Sequence, residues 1–216
     1  MIHHVVWDWN GTLFDDFHVV VEAVNAGLEP FGIGRITAHE YRTHYTRPVK
    51  VFYDRLAGRE ITESEWLDLD RRFHDAYRDL LPSVGLSRDA VDALQAVTEI
   101  PADQSLLSMF PHHELLPLVE RLGVSTFFQR IDGLRGEPGA RKAEFLELHL
   151  RELMRHEDPS TVLLIGDATD DAVAAAHVGA VAVLVDNGSH HRDELESMGV
   201  PVADDLIGAL RLAGLA

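Results

Sequence analysis

Two acidic segments carry residues whose types and spacing suit chemistry. The first is Asp8-Trp9-Asn10-Gly11-Thr12-Leu13, directly after an apolar run. A carboxylate there leaves the end of a strand beside a glycine that lets the backbone turn sharply, which suits a nucleophile. The same residues also fit an Asx-turn that merely closes a strand, since Asn-Gly is itself a strong turn signal. The second segment is Gly166-Asp167-Ala168-Thr169-Asp170-Asp171. Asp167 lies just past an apolar run and Asp171 about one helical turn further, so both can face one cation. Carboxylate oxygens clustered in this way suit Mg²⁺, which takes one or two carboxylates together with water and phosphate oxygens. Asp170 reads as a complement to the helix dipole. Ser108, at the end of another apolar run, offers a hydroxyl to a phosphoryl oxygen or closes a turn. Lys142, one of only two lysines with Lys50, follows Gly136-Glu137-Pro138-Gly139 and places an ammonium where it would balance carboxylates and phosphoryl charge. Read alone, it is a solvated surface lysine.

The elements that must position these residues are legible as apolar runs: Ile2–Trp7, Ser105–Met109, Phe127–Ile131, Thr161–Ile165 and Ala180–Val185. Segments of helical period separate the later runs, Pro111–Leu122, Arg141–Met154 and Thr169–His177. Strand alternating with helix predicts an α/β fold with a doubly wound parallel sheet, whose functional residues gather at the carboxyl ends of the strands. From Phe17 to about Leu81 the alternation stops. Thr37-x-x-Glu40 and Thr62-x-x-Glu65 fit capping boxes, and Trp66, Leu69, Phe73, Tyr77 and Leu80 recur at spacings of three and four. We expect an α/β core over 1–16 and 83–216, interrupted by an all-helical domain over 17–82. Pro48 is expected to open a helix through Phe52 and Leu56, Trp7 and Trp9 to be packing residues, and Asp204–Leu215 to form an amphipathic helix over a sheet edge.

The chain has 216 residues, 46% hydrophobic and 25% charged, enough for one domain with an insertion and a sizeable core. Its net charge of −17 disfavours nucleic-acid partners, although a local metal or helix N-terminus still permits an anionic substrate. Without cysteine, thiolate catalysis and disulfides are excluded. The start lacks a signal-peptide pattern and no run reaches the length of a membrane span, so a soluble, cytoplasmic protein is expected.

In sum and order, Asp8, Asn10, Ser108, Lys142, Asp167 and Asp171 on strand ends, with a helical insertion, resemble the haloacid dehalogenase superfamily of phosphohydrolases over nearly the whole chain. D-W-N-G-T-L-F-D is similar to the first motif of that family, Ser108 to the second, Lys142 to the third and G-D-A-T-D-D to the fourth. The insertion is similar to the small helical cap of phosphoglycolate phosphatase-like members. The resemblance implies that Asp8 is the nucleophile that becomes an aspartyl phosphate. It also implies that Asp8, Asp167, Asp171 and the Asn10 carbonyl hold Mg²⁺, and that Ser108, Lys142, Gly11 and Thr12 hold the phosphoryl group. Arg47 and Lys50 fall where related enzymes place substrate-facing residues, and an arginine there would clamp a second anionic group.

One departure stands out. Phosphatases of this family usually have an aspartate at the position of Asn10, which protonates the leaving oxygen and then activates water. An amide does neither, so the resemblance implies slow hydrolysis of a small phosphorylated metabolite and a preference for activated leaving groups. His44, His112 and His113 are candidates to relay the proton or are plain surface residues, with His3 and His4 weaker still. A phosphomutase or phosphonatase shares the same nucleophile. The alternative from another class is a phosphate- or phosphometabolite-binding regulatory protein with little turnover. A response-regulator receiver fits poorly, because it lacks the helical insertion and the late G-D-x-x-x-D. Finally, Asn10-Gly11 is a sequence prone to deamidation, which would convert Asn10 into an aspartate.

Overall fold

A computed structural model describes residues 1–136, 141–153 and 158–216. The chain divides into two compact units, Met1–Asp15 with Gly85–Ala216, and Asp16–Val84. It begins with β1 (His4–Trp7) and then enters the helical unit: α1 (Phe17–Leu28), α2 (Ala38–His44), α3 (Val49–Ala57) and α4 (Glu63–Leu80). The other unit continues through α5 (Ala90–Thr98), β2 (Asp103–Pro111), α6 (His112–Arg121), β3 (Ile131–Leu134), α7 (Lys142–Leu153), β4 (Val162–Gly166), α8 (Thr169–Val178), β5 (Val181–Val185), α9 (Arg192–Glu196), β6 (Val202–Ala203) and α10 (Leu206–Leu212).

The six strands form one sheet in the order β3-β2-β1-β4-β5-β6, and every pair is parallel. A parallel sheet covered on both faces needs strands that are apolar throughout, and β1 and β4 are buried at every position. Trp7 pairs with Leu106 on one side and Ile165 on the other, so the chain leaves β1 level with its neighbours. The β2–β3 register slips between Leu107 and Pro111, the stretch that contains Ser108. Trp7 and Trp9 are fully buried, as expected of packing residues; Trp7 Nε1 donates to Gln104 Oε1 at 2.9 Å and Trp9 stacks on Phe14.

Beneath these strand ends lies a buried polar chain. His4 Nε2 is 2.7 Å from Ser105 Oγ, which is 2.8 Å from His149 Nε2, and His149 Nδ1 is 2.8 Å from Asp132 Oδ2. It ties β1, β2 and β3 to α7. Ser105, His149 and Asp132 have the connectivity of a hydrolytic triad, but Ser105 is fully buried, so no substrate reaches it and the chain acts as an anchor.

In the helical unit both expected capping boxes form. Thr37 N donates to Glu40 Oε2 at 2.8 Å and Thr62 N to Glu65 Oε2 at 2.7 Å, while each threonine hydroxyl accepts the reciprocal backbone N–H. Phe17, Val21, Val24, Leu28, Phe52 and Leu69 supply the core of this unit. Tyr77 Oη donates to buried Asp16 Oδ2 at 2.6 Å.

Three sequence expectations need correction. The apolar run Phe127–Ile131 is not itself a strand: Ser125–Phe127 form a 3₁₀ turn, and pairing with β2 begins only where Leu106 meets Ile131. The strand is Ile131–Leu134, with the aromatic pair spent on the turn before it. The two-residue β6 was not expected, being too short to show a period. The C-terminal helix is shorter than Asp204–Leu215, because Asp205 caps it by accepting from Gly208 N at 2.6 Å; it packs on α5, β5 and β6. The turn expected before Lys142 lies, from Glu137 onward, outside the described residues, as does Met154 at the end of the following helix.

Candidate active site

The backbone past β1 folds back on itself: Gly11 N donates to Phe14 O at 2.9 Å and Phe14 N to Trp9 O at 2.8 Å. Gly11 has φ +71°, and a Cβ there would sit 2.5 Å from Asp167 Oδ2, so only glycine lets this turn lie against that carboxylate. Asp8 N still donates to Ile165 O at 2.8 Å, which fixes the carboxylate at the junction of β1 and β4.

Asp8, Asp167 and Asp171 converge, each offering a carboxylate oxygen within 4.8 Å of the others, and all three are buried. Lys142, the first residue of α7, is buried too, and its Nζ ion-pairs with Asp8 Oδ1 and Asp171 Oδ1. The Thr12 hydroxyl, fully buried, lies 3.3 Å from Asp8 Oδ2 and 3.4 Å from Asp167 Oδ1. Ala168 N donates to Asp171 Oδ2 at 3.0 Å and holds that carboxylate at the start of α8. Ser108 Oγ accepts from Phe110 N at 3.0 Å and reaches Asn10 Oδ1 at 3.5 Å, so Asn10 and Ser108 meet at the strand ends.

The electrostatics follow from burial. Desolvation, reinforced by Asp171, pushes the Asp8 carboxyl up to about 6 against the opposing pull of Lys142. Burial also works against the Lys142 ammonium, but Asp171 and Asp8 outweigh it and hold it above its ordinary value. Three carboxylates and one ammonium leave a formal charge of −2 in a buried site. That charge and an all-oxygen donor set fit a divalent hard cation. The surrounding cradle is built from absent side chains: a Cβ at Gly166 would overlap Asp171, and one at Gly188 would overlap Asp167.

The other residues singled out from the sequence are not members of the carboxylate cluster. Arg47 is in the helical unit, exposed just before α3. Lys50 pairs with Asp54 at 3.4 Å, and His44 is at the end of α2. His113 is exposed beside Glu114, and His112 faces Arg135 and Gly133. His3 is exposed and His4 belongs to the buried chain under the sheet. Asp170 is exposed in the first turn of α8. Sequence reasoning missed the loop after β5, where Ser189 N donates to Asp167 Oδ2 at 3.4 Å. Asn187-Gly188 was the available signal, a turn dipeptide following an apolar run.

The family model of haloacid dehalogenase-like hydrolases matches residues 2–179. The chain belongs to that family. Among relatives of this haloacid dehalogenase-like hydrolase, a phosphoglycolate phosphatase of Synechococcus elongatus is 27% identical over 195 residues, covering 88% of this chain and 87% of its own. A phosphoglycolate phosphatase of Chromobacterium violaceum is 25% identical over 202 residues, covering 87% and 86%. A Haemophilus somnus crystal structure, described as a predicted phosphoglycolate phosphatase, superposes with a TM-score of 0.79 over 98% of both chains at 18% identity, a likeness of fold. Among the described residues no helix is long and apolar enough to cross a membrane.

Proposed function

We propose that this hydrolase is an Mg²⁺-dependent phosphomonoesterase acting on a small phosphorylated metabolite through an aspartyl phosphate on Asp8. The observation that carries the reading is the buried Asp8 carboxylate held beside Lys142 and two further carboxylates at the strand ends. The curated relatives reported above, named phosphoglycolate phosphatases, support the substrate class.

Asp8 attacks phosphorus; a P–O bond forms to its carboxylate while the ester P–O bond breaks, and the leaving oxygen takes its proton from solvent water, because Asn10 has none to give. Water then attacks the aspartyl phosphate, its proton is lost, and Asp8 is regenerated with release of inorganic phosphate. Lys142 balances phosphoryl charge and keeps Asp8 ionised, and Ser108 donates its hydroxyl to a phosphoryl oxygen. Gly11 and Thr12 frame the same pocket. Asp8, the Asn10 carbonyl, Asp167 and Asp171 would hold Mg²⁺, which when bound neutralises charge on the transferring group. The helical unit acts as a cap, with Arg47 as the candidate clamp for a second anionic group on the substrate.

Asn10 occupies the position from which a carboxyl would shuttle the proton. General acid–base help contributes typically about 10²–10⁴-fold, so both steps run slowly and activated esters are favoured. Phosphate release from a panel of phosphomonoesters, with Mg²⁺ or chelator, tests the reading. Turnover that needs Mg²⁺ and disappears in Asp8→Asn supports it. Stoichiometric phosphate binding with no turnover on any ester, aryl phosphates included, would replace it with a binding-only role.

A further inference from the structure

The chain leaves for the helical unit after Asp15 and returns at Gly85, and the two crossings are bonded to each other within the unit that carries β1. Phe14 and Leu86 form an antiparallel bridge, Asp15 N donates to Gly85 O at 3.1 Å, and Ser87 N donates to Leu13 O at 2.9 Å. Ser87 adds a bond that backbone pairing does not supply. Its hydroxyl donates to Thr12 O at 2.5 Å, so the two donors of one buried serine serve two successive carbonyls of the turn that follows Asp8. Thr12 is fully buried, and among the described residues nothing else donates to that carbonyl.

At Thr12 this bond meets the candidate cation site. The side chain of the same residue lies 3.3 Å from Asp8 Oδ2 and 3.4 Å from Asp167 Oδ1, and it has one hydroxyl proton to offer the two. These carboxylates follow neighbouring strands, β1 and β4, and the Thr12 hydroxyl bridges them. The Thr12 backbone is gripped at both ends, its N–H donating to Trp9 O at 3.2 Å and its carbonyl accepting from Ser87. We propose that Ser87 is a positioning residue for the cation site: by holding the Thr12 carbonyl it fixes the Thr12 hydroxyl between Asp8 and Asp167. The inference rests on the reading that these carboxylates hold a divalent cation, and it adds a residue distant in sequence from every one of them. Alanine at position 87 keeps the backbone bond to Leu13 but strips the buried Thr12 carbonyl of its donor. An orphaned carbonyl bears its full desolvation, so the peptide turns to find another partner and the hydroxyl moves with it.

Calorimetric titration of Mg²⁺ into the metal-free protein at neutral pH tests this, with thermal melts of every variant alongside. Ser87→Ala is expected to weaken Mg²⁺ binding about tenfold, the low end of what a metal site loses with a hydrogen-bond partner of its ligands. Ser87→Thr, which keeps the hydroxyl, should restore most of it, and Ser87→Cys, a weak donor of similar size, should fall between. Thr12→Val removes the group through which Ser87 acts. Adding Ser87→Ala to Thr12→Val is therefore expected to change Mg²⁺ affinity less than twofold while still lowering the melting temperature, because the Thr12 carbonyl is orphaned in either background. A serine that only stabilised the fold would lower the melting temperature and leave the affinity of the folded protein alone. Unchanged affinity in folded Ser87→Ala, or a loss as large in Thr12→Val as in the wild type, overturns the proposal and leaves the reading of the carboxylates standing. Mg²⁺ binding that persists undiminished in Asp8→Asn and Asp167→Asn overturns that reading, and the inference with it.

Discussion

Asn10 decides how fast the proposed chemistry runs, because its side chain lies at the strand ends beside Ser108 and carries no transferable proton. Restoring a carboxyl with Asn10→Asp is expected to raise steady-state turnover by about 10²-fold or more on unactivated esters and much less on aryl phosphates, since an aryl leaving group needs no proton. Equal gains on both ester types would mean that proton delivery is not what Asn10 limits. Asp8 adds a pH dependence. With its carboxyl pushed up to about 6, the nucleophile is ionised above that pH and protonated below it. Binding of Mg²⁺ titrated into the metal-free protein, followed by calorimetry, should therefore strengthen as pH rises through about 6; an affinity flat across that range would contradict the assignment. The deamidation expected from Asn10-Gly11 meets an obstacle in the fold, because the Gly11 nitrogen that must attack already donates to Phe14 O within a tight turn. Peptide maps of aged folded protein should show Asn10 intact, whereas the unfolded chain should deamidate there.

At the scale of elements, α7 matters most, because it carries Lys142 at its first position and the buried His149 two turns later on the same face. His149 joins Ser105 to Asp132, so His149→Leu leaves two buried polar groups without that partner. It should destabilise the protein by about 2–6 kcal/mol in urea melts, at roughly 1–3 kcal/mol for each group. A loss below about 0.5 kcal/mol would mean that the chain anchors nothing. His4, at the other end, is held neutral: burial, then His149, lowers its value from 6.5 to about 4. A group whose folded value is depressed binds its proton in the unfolded state first, so stability is full above 6.5 and declines as pH falls towards 4. His4→Gln should flatten that acid-side decline in a pH series of melting temperatures. Much of the positioning was legible from the sequence, since the strands leading to Asp8 and Asp167 are apolar runs closed by turn residues; Ser108, expected at a strand end, lies inside β2 where the register with β3 slips, and β2 continues to Pro111. Lys142 was read alone as solvated and is buried, because two carboxylates distant in sequence surround it. The chain from His4 to Asp132 left no pattern at all: its members are single polar residues inside apolar segments, and only the parallel pairing of β1, β2 and β3 brings them together.

For the whole molecule, the net charge of −17 opposes the approach of a phosphoester, and the local site, at a formal −2, would attract it only once a divalent cation is bound. Screening the long-range repulsion should raise kcat/KM for an anionic substrate as salt increases from low to physiological ionic strength, where the Debye length is about 8 Å. Turnover under saturation should change little. A steep fall of kcat/KM with salt would mean that local positive groups such as Arg47 dominate the encounter instead. The haloacid dehalogenase-like fold was readable because its first and last motifs close consecutive neighbours in the sheet, β1 and β4.

The central claim is that Asp8 takes the phosphoryl group. The direct measurement is acid quenching of the protein during turnover of an aryl phosphate with Mg²⁺, followed by mass analysis of its peptides. The account predicts a phosphoryl increment on the peptide containing Asp8, accumulating because Asn10 slows its hydrolysis and abolished in Asp8→Asn. Undiminished turnover in a folded Asp8→Asn protein would contradict it.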